Sequence, residues 1–229
     1  VSDITQAGIT DTKLTDWHLA EFRGTFDGNS KALLNVNVNQ SFNDEVGVIG
    51  RLIGGSITNL GIAGTSIISG NDSVGGLVGK SQNSTISGSF SNATVNGVSK
   101  AGGLVGNNNY VNSATSITDS YATGNVGSTS GTYIGGLVGY NQGGTLTRTY
   151  ATGVVTGTTK GGLVGYNSGI IANSLYNSAS TGTVTATGAT AKTLAQLKSL
   201  ATYTDAGWTT GQIRSTGTAS GQTWRIYEG

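Results

Sequence analysis

The chain has no cysteine, no proline and no methionine, a single histidine, and only 10% charged residues. Without cysteine there is no disulfide framework and no thiol nucleophile, although the cellular compartment stays open. A disordered chain is rich in charge and proline and poor in branched aliphatics. Here proline is absent, charge is scarce, and Val, Ile and Leu recur throughout. The formal net charge of +1 supplies no basic cluster for nucleic acid or an anionic membrane, so neither is an expected partner. No run of 18 apolar residues occurs, so no transmembrane helix is expected. The chain begins at Val1 with no charged-then-apolar leader, which reads as a mature or excised segment.

Four small or turn-forming residue types fill the space left: 39 Gly, 34 Thr, 25 Ser and 19 Asn together make 117 of 229 residues. Gly costs about 1 kcal/mol per helical position and Thr, Ser and Asn are mediocre helix formers. A β-rich fold with many turns is the remaining class.

An internal repeat gives that class a register. The boxes are Gly47-Val48-Ile49-Gly50, Gly76-Leu77-Val78-Gly79, Gly103-Leu104-Val105-Gly106, Gly136-Leu137-Val138-Gly139 and Gly162-Leu163-Val164-Gly165, spaced 29, 27, 33 and 26 residues apart. About ten residues after each box stands an aliphatic side chain, Ile57, Ile86, Ile117, Leu146 and Ile171. Four further on come Phe90, Tyr121, Tyr150 and Leu175, and a third station carries Val95, Val126 and Val155. Segments this short are strands, and an even spacing of four predicts that the aliphatic and aromatic positions share one face.

One unit is then one coil of an all-β solenoid of about five coils. Like side chains stack about 4.8 Å apart, giving a core roughly 24 Å long, with Phe90, Tyr121 and Tyr150 as an aromatic ladder. The paired glycines either turn the chain with positive φ or admit a close neighbour, while the intervening Leu is buried. The residue after each box, Arg51, Lys80, Asn107, Tyr140 or Tyr166, is expected at the surface, and Asn108, Asn141 and Asn167 are expected to form a partial ladder at a turn.

Solenoid ends need atypical capping segments. Residues 1–45 read as an N-terminal lead-in β segment holding Trp17, Phe22, Phe26, His18 and seven of the eleven acidic residues. Residues 46–190 are the repeats. Residues 191–229 read as a C-terminal cap, with a short helix over Lys192–Ala201, N-capped by Thr193, lying across the open end of the last coil. A closing aromatic β segment follows, with Trp208, Trp224, Ile226 and Tyr227.

The Gly-Gly-Leu-Val-Gly strings at 75–79, 102–106, 135–139 and 161–165, each followed by a strand like Tyr121-Ala122-Thr123-Gly124, resemble GLUG repeats. The resemblance runs over nearly the whole chain. It implies a right-handed β-helix of the kind found in bacterial secreted and surface proteins, notably filamentous-haemagglutinin-like adhesins, and it carries no catalytic residues onto this sequence. The first box departs from the pattern, with Val46 in place of the leading Gly and Val48-Ile49 in place of Leu-Val.

The residue chemistry points the same way. A zinc peptidase needs two or three His or carboxylate ligands and a serine triad needs a His; His18 alone serves neither, and no Gly-x-Ser-x-Gly elbow occurs. A glycosidase needs two carboxylates within about 10 Å, whereas the coils hold only Asp72 and Asp119. Asp27 with Asn29 reads as an Asx turn rather than a calcium site. Asn39, Asn71, Asn83 and Asn92 begin Asn-x-Ser/Thr triplets.

The expectation is a non-enzymatic adhesin segment without cofactor or metal, secreted or displayed on the cell surface. It would meet a host or abiotic surface, a glycan or an exopolysaccharide. Tyr140 and Tyr166 are candidate stacking platforms, with Asn141, Asn167, Lys80 and Arg51 beside them. Alternatives are a fibre or biofilm-matrix protein that self-associates through its solenoid ends, and an accessory module of a secreted enzyme.

Overall fold

The computed structural model describes residues 14–15, 18–127, 130–180, 187–209, 213–214 and 224–225. It is a β-solenoid of about five turns with one short α-helix. Each coil passes through three sheets built from parallel strands. The first sheet stacks six strands, Leu19–Phe22, Ile49–Ile53, Val78–Gln82, Val105–Asn109, Val138–Gln142 and Val164–Asn167. The second sheet has 11 strands and the third has 8. Partners follow the sequence register: Ile57 with Ile86, Ile86 with Ile117, Ile117 with Leu146 and Leu146 with Ile171.

The core runs along the axis. Leu77, Leu104, Leu137 and Leu163 are fully buried, as are Ile57, Ile86, Ile117 and Leu146. Box glycines earn their place by close approach, not by unusual dihedral angles. A Cβ on Gly139 would sit 2.6 Å from the Ala101 backbone nitrogen and 2.7 Å from the Gly106 oxygen, so neighbouring coils touch main chain to main chain there.

Residues 19–39 are already a coil in register with the repeats, so residue 45 marks no structural break. Leu19 pairs with Ile49, Phe26 with Ile57 and Val38 with Ile68. His18 occupies the box position without a Leu-Val step, and its Nδ1 donates to the Gly47 carbonyl at 2.8 Å. Trp17 lies outside the described residues.

The shared-face expectation fails at the second sheet. Phe90, Tyr121 and Tyr150 do form a ladder, with centroids 5.0 and 4.9 Å apart and planes within 7°. However, the aliphatic station belongs to the central core while Tyr121 and Tyr150 pack in a separate cluster on the outside. The reason lies between the two stations, where Asn59, Gly88, Asp119, Arg148 and Asn173 adopt left-handed φ of 49–57°. That single residue per coil breaks the alternation, so a spacing of four no longer preserves the face.

The C-terminal helix also differs from expectation. Thr193 and Gln196 cap each other reciprocally, but the chain makes only a 3-10 turn at Gln196–Lys198 before Ser199 becomes extended. The α-helix α1 is Leu200–Asp205. Leu197 is buried, whereas Leu194 stays 52% exposed. Tyr203 and Trp208 set the position: they pack with Leu175, and Tyr203 meets Tyr150 edge to face at 6.0 Å. Thus the segment flanks the outer aromatic ladder, and the strand Ala189–Lys192 pairs with Ser174–Asn177 to continue the second sheet. Trp224–Arg225 pairs with Ile213–Arg214; Ile226 and Tyr227 lie outside the described residues.

Candidate binding face

The residue after each box points out of the first sheet, and stacking puts these residues in one column. Its order is Glu21, Arg51, Lys80, Asn107, Tyr140, Tyr166. A second column runs beside it at the corner leading from the third sheet, formed by Glu45, Ser73, Lys100 and Tyr133. All four hold left-handed φ between 48° and 58°. For side chains with a Cβ that conformation costs about 1 kcal/mol each. The cost is offset by the ladder pairing on either side, through Val46 with Val74 and Ala101 with Val74.

The two columns interlock. Toward the N-terminal end the contacts are ionic: Arg51 donates to Glu45, Lys80 Nζ lies 3.3 Å from Glu45 Oε1, and Lys100 Nζ lies 3.1 and 3.0 Å from the Asp72 oxygens. Burial pushes the Glu45 and Asp72 carboxyls upward. Hydrogen bonds from Arg51 and Lys80 to Glu45, and from Ser73 and Lys100 to Asp72, outweigh it and hold both below their ordinary values. Arg51 and Lys80 therefore share the one Glu45 carboxylate within the face and are not isolated cations.

Toward the C-terminal end the face is aromatic. Tyr140 and Tyr166 are stacked, with centroids 4.3 Å apart and planes 10° from parallel. Tyr133 stands across both at 5.4 and 5.8 Å, nearly perpendicular. Stacking covers the facing side of each ring, so the two tyrosines form one shared platform with hydroxyls at its edge rather than two separate open ones. Burial, followed by the neighbouring Tyr166, pushes the Tyr140 phenol upward, which keeps it a neutral donor and acceptor.

The asparagines divide differently. Asn107, expected at the surface, is only 8% exposed between Lys80 and Tyr140, and its Oδ1 is buried without a partner. Asn141 is fully buried: it accepts from Asn108 Nδ2 at 2.8 Å and donates to Asn167 Oδ1 at 2.7 Å and to the Gly144 carbonyl at 3.0 Å. The Asn108–Asn141–Asn167 ladder thus exists as expected at a turn. It is a structural device facing inward, so Asn141 is unable to touch a ligand and Asn167 is tied into the same chain of bonds. Tyr133 is the side chain of this face that sequence reading overlooked. Its signal was its place two residues before the Gly pair, where other coils carry Ser73 and Lys100; the long 33-residue spacing obscured it.

Fold and face together define a repeat-built β-solenoid with a tyrosine-bearing flank. The family model described as the GLUG motif matches residues 130–156, the segment that contains all of Tyr133, Tyr140 and Asn141. The chain is also similar to halomucin of Haloquadratum walsbyi (strain DSM 16790 / HBSQ001), at 38% identity over 89 residues, or 38% of this chain. It spans about 1% of that relative's length. No solved structure matches.

Proposed function

We propose that this chain is a non-enzymatic structural and binding segment of a secreted or cell-surface adhesin. It is a stiff rod that holds the Tyr133–Tyr140–Tyr166 cluster toward an uncharged glycan or a glycan-coated surface. The cluster carries the reading. Three rings locked by mutual contact on stacked strands lose little conformational entropy on binding, and each combines an apolar body with a hydroxyl.

The use made of the carboxylates supports a non-enzymatic role. Asp27 accepts from the Asn29 amide in an Asx turn, Asp44 accepts from Asn71 and the Asp72 amide, and Asp119 holds Arg148 bidentately at 2.7 Å. Glu45 and Asp72 are neutralised by lysine and arginine. The surface or secreted setting is supported by the GLUG motif and by likeness to a protein named halomucin.

The test is retention on immobilised polysaccharides of the chain and of a Tyr140→Ala, Tyr166→Ala double variant with unchanged circular dichroism. Loss of retention in the variant is expected; equal retention removes the reading. A self-associating fibre is the second reading. It is favoured by the first sheet ending at Val164–Asn167 with no further strand among the described residues. Light scattering that finds monomers at high concentration counts against it.

A further inference from the structure

Four Asn-x-Ser/Thr triplets are no more than composition yields, since 19 Asn among 59 Ser and Thr in 229 residues give about five by chance. Their number therefore carries no weight; where the fold puts each one does. Enzymatic transfer to asparagine requires a reachable carboxamide nitrogen, a reachable hydroxyl two residues on, and backbone free to leave its ladder.

Three triplets fail on the coil. Ser73 is buried, its hydroxyl donates to Asp72, and Asn71 Nδ2 donates to Asp44. The Asn83 carboxamide oxygen accepts three consecutive amides, Val111, Asn112 and Ser113, and Thr85 is paired within the second sheet. Asn92 is exposed, but its amide is bonded to the Ile62 carbonyl, Ala93 is buried, and Thr94 is bonded to Ser66 and paired with Ile67.

Asn39 is itself paired with Ser69, and the Gln40 amide is bonded to the Ser69 carbonyl, but unlike the other three triplets its hydroxyl residue lies beyond the ladder. It ends the strand Val36–Asn39, and six residues, 40–45, lie between the pairs Asn39 with Ser69 and Val46 with Val74, where the next coil uses only four, 70–73. The two extra residues bulge away as a turn closed by the Asn43 amide on the Gln40 carbonyl at 2.8 Å, with Phe42 97% exposed at the tip. Asn39 and Ser41 are both exposed. The Ser41 hydroxyl donates to Asn39 Oδ1 at 2.8 Å, so the hydroxyl and carboxamide already lie on one side of the turn, and Nδ2 makes no hydrogen bond among the described residues.

We propose that Asn39 is an acceptor for N-linked oligosaccharide in the folded protein. The donor is a polyprenyl-pyrophosphate-linked oligosaccharide and the catalyst an oligosaccharyltransferase. The Asn39 Nδ2 forms a bond to the anomeric carbon and gives up one proton to the enzyme's base. The anomeric carbon–oxygen bond breaks, and the lipid pyrophosphate leaves with its electron pair.

The experiment treats the folded chain with a purified single-subunit oligosaccharyltransferase and its lipid-linked donor, and maps the added mass by peptide mass spectrometry. Peptides spanning 37–43, 69–75, 81–87 and 90–96 serve as controls that the enzyme accepts each triplet. Asn39 in the folded chain is expected to react faster than the other three by about tenfold or more, because those react only through local opening. Asn39→Gln and Ser41→Ala should abolish that addition, and Phe42→Ala should spare it. An unmodified Asn39 in a folded chain whose 37–43 peptide is modified overturns the proposal, as does equal modification at Asn71, Asn83 or Asn92.

Discussion

At the scale of the residue, glycine serves this chain in two ways that substitution separates. Gly139 has an ordinary dihedral angle, yet a Cβ there meets the main chain of Ala101 and Gly106. Gly54 has φ +60°, a Cβ added there would meet no described atom within 4 Å, and it is the counterpart of Asn83, which holds φ 52° in the following coil. Gly139→Ala is therefore expected to cost about 3 kcal/mol through overpacking. Gly54→Asn should change stability by less than about 0.5 kcal/mol, because asparagine tolerates the left-handed region. Urea unfolding of the two variants checks the contrast; comparable losses would mean that turn conformation, not close approach, governs the box. The same distinction limits what was legible. Two glycines flanking Leu-Val mark a repeat in the sequence, but whether they turn or touch depends on a coil some 27 residues away.

At the scale of the element, the outer aromatic ladder and its cover form a unit of their own. Burial pushes the phenols of Tyr121, Tyr150 and Tyr203 above their ordinary value of 10.0, and the Tyr203 hydroxyl donates to the Leu197 carbonyl at 2.8 Å. A group whose folded pKa is raised contributes stability that is complete below its unfolded pKa and is lost as pH rises through the folded value. The cover should consequently hold at neutral pH and loosen above about pH 10. Fluorescence of the buried Trp208, followed by alkaline titration, should report this, and Tyr203→Phe should shift the transition upward. An unshifted transition would place the titrating group elsewhere. The ladder itself was readable from Phe90, Tyr121 and Tyr150. Its outward orientation was not: Asn59, Gly88, Asp119 and Asn173 are types that tolerate the left-handed region, but such types stand throughout the chain, and Arg148 at the same station is not one of them.

At the scale of the whole molecule, each coil touches its neighbours, so stability is a sum of coil and interface contributions with weaker ends. Hydrogen exchange should find the greatest protection in the buried central steps Leu104-Val105 and Leu137-Val138. The cap, residues 196–208, should exchange faster, since its apolar cluster of Leu175, Leu197, Tyr203 and Trp208 is separate from the long core. Uniform protection across cap and coils would instead indicate a single cooperative unit.

The sequence by itself determined the coil register, the buried Leu-Val steps and the alignment of Arg51, Lys80, Asn107, Tyr140 and Tyr166 in one column. All of these follow from translation along the axis, which a repeat encodes directly. Tertiary structure decided which way side chains face and what they meet around each corner. It moved the aromatic ladder outside, turned Asn141 inward, paired Arg51 and Lys80 with Glu45, and brought Tyr133 against Tyr140 and Tyr166. The physical reason is that one left-handed residue at a corner breaks the alternation of the side chains on either side of it, and its neighbours across the corner come from its own coil and from the next.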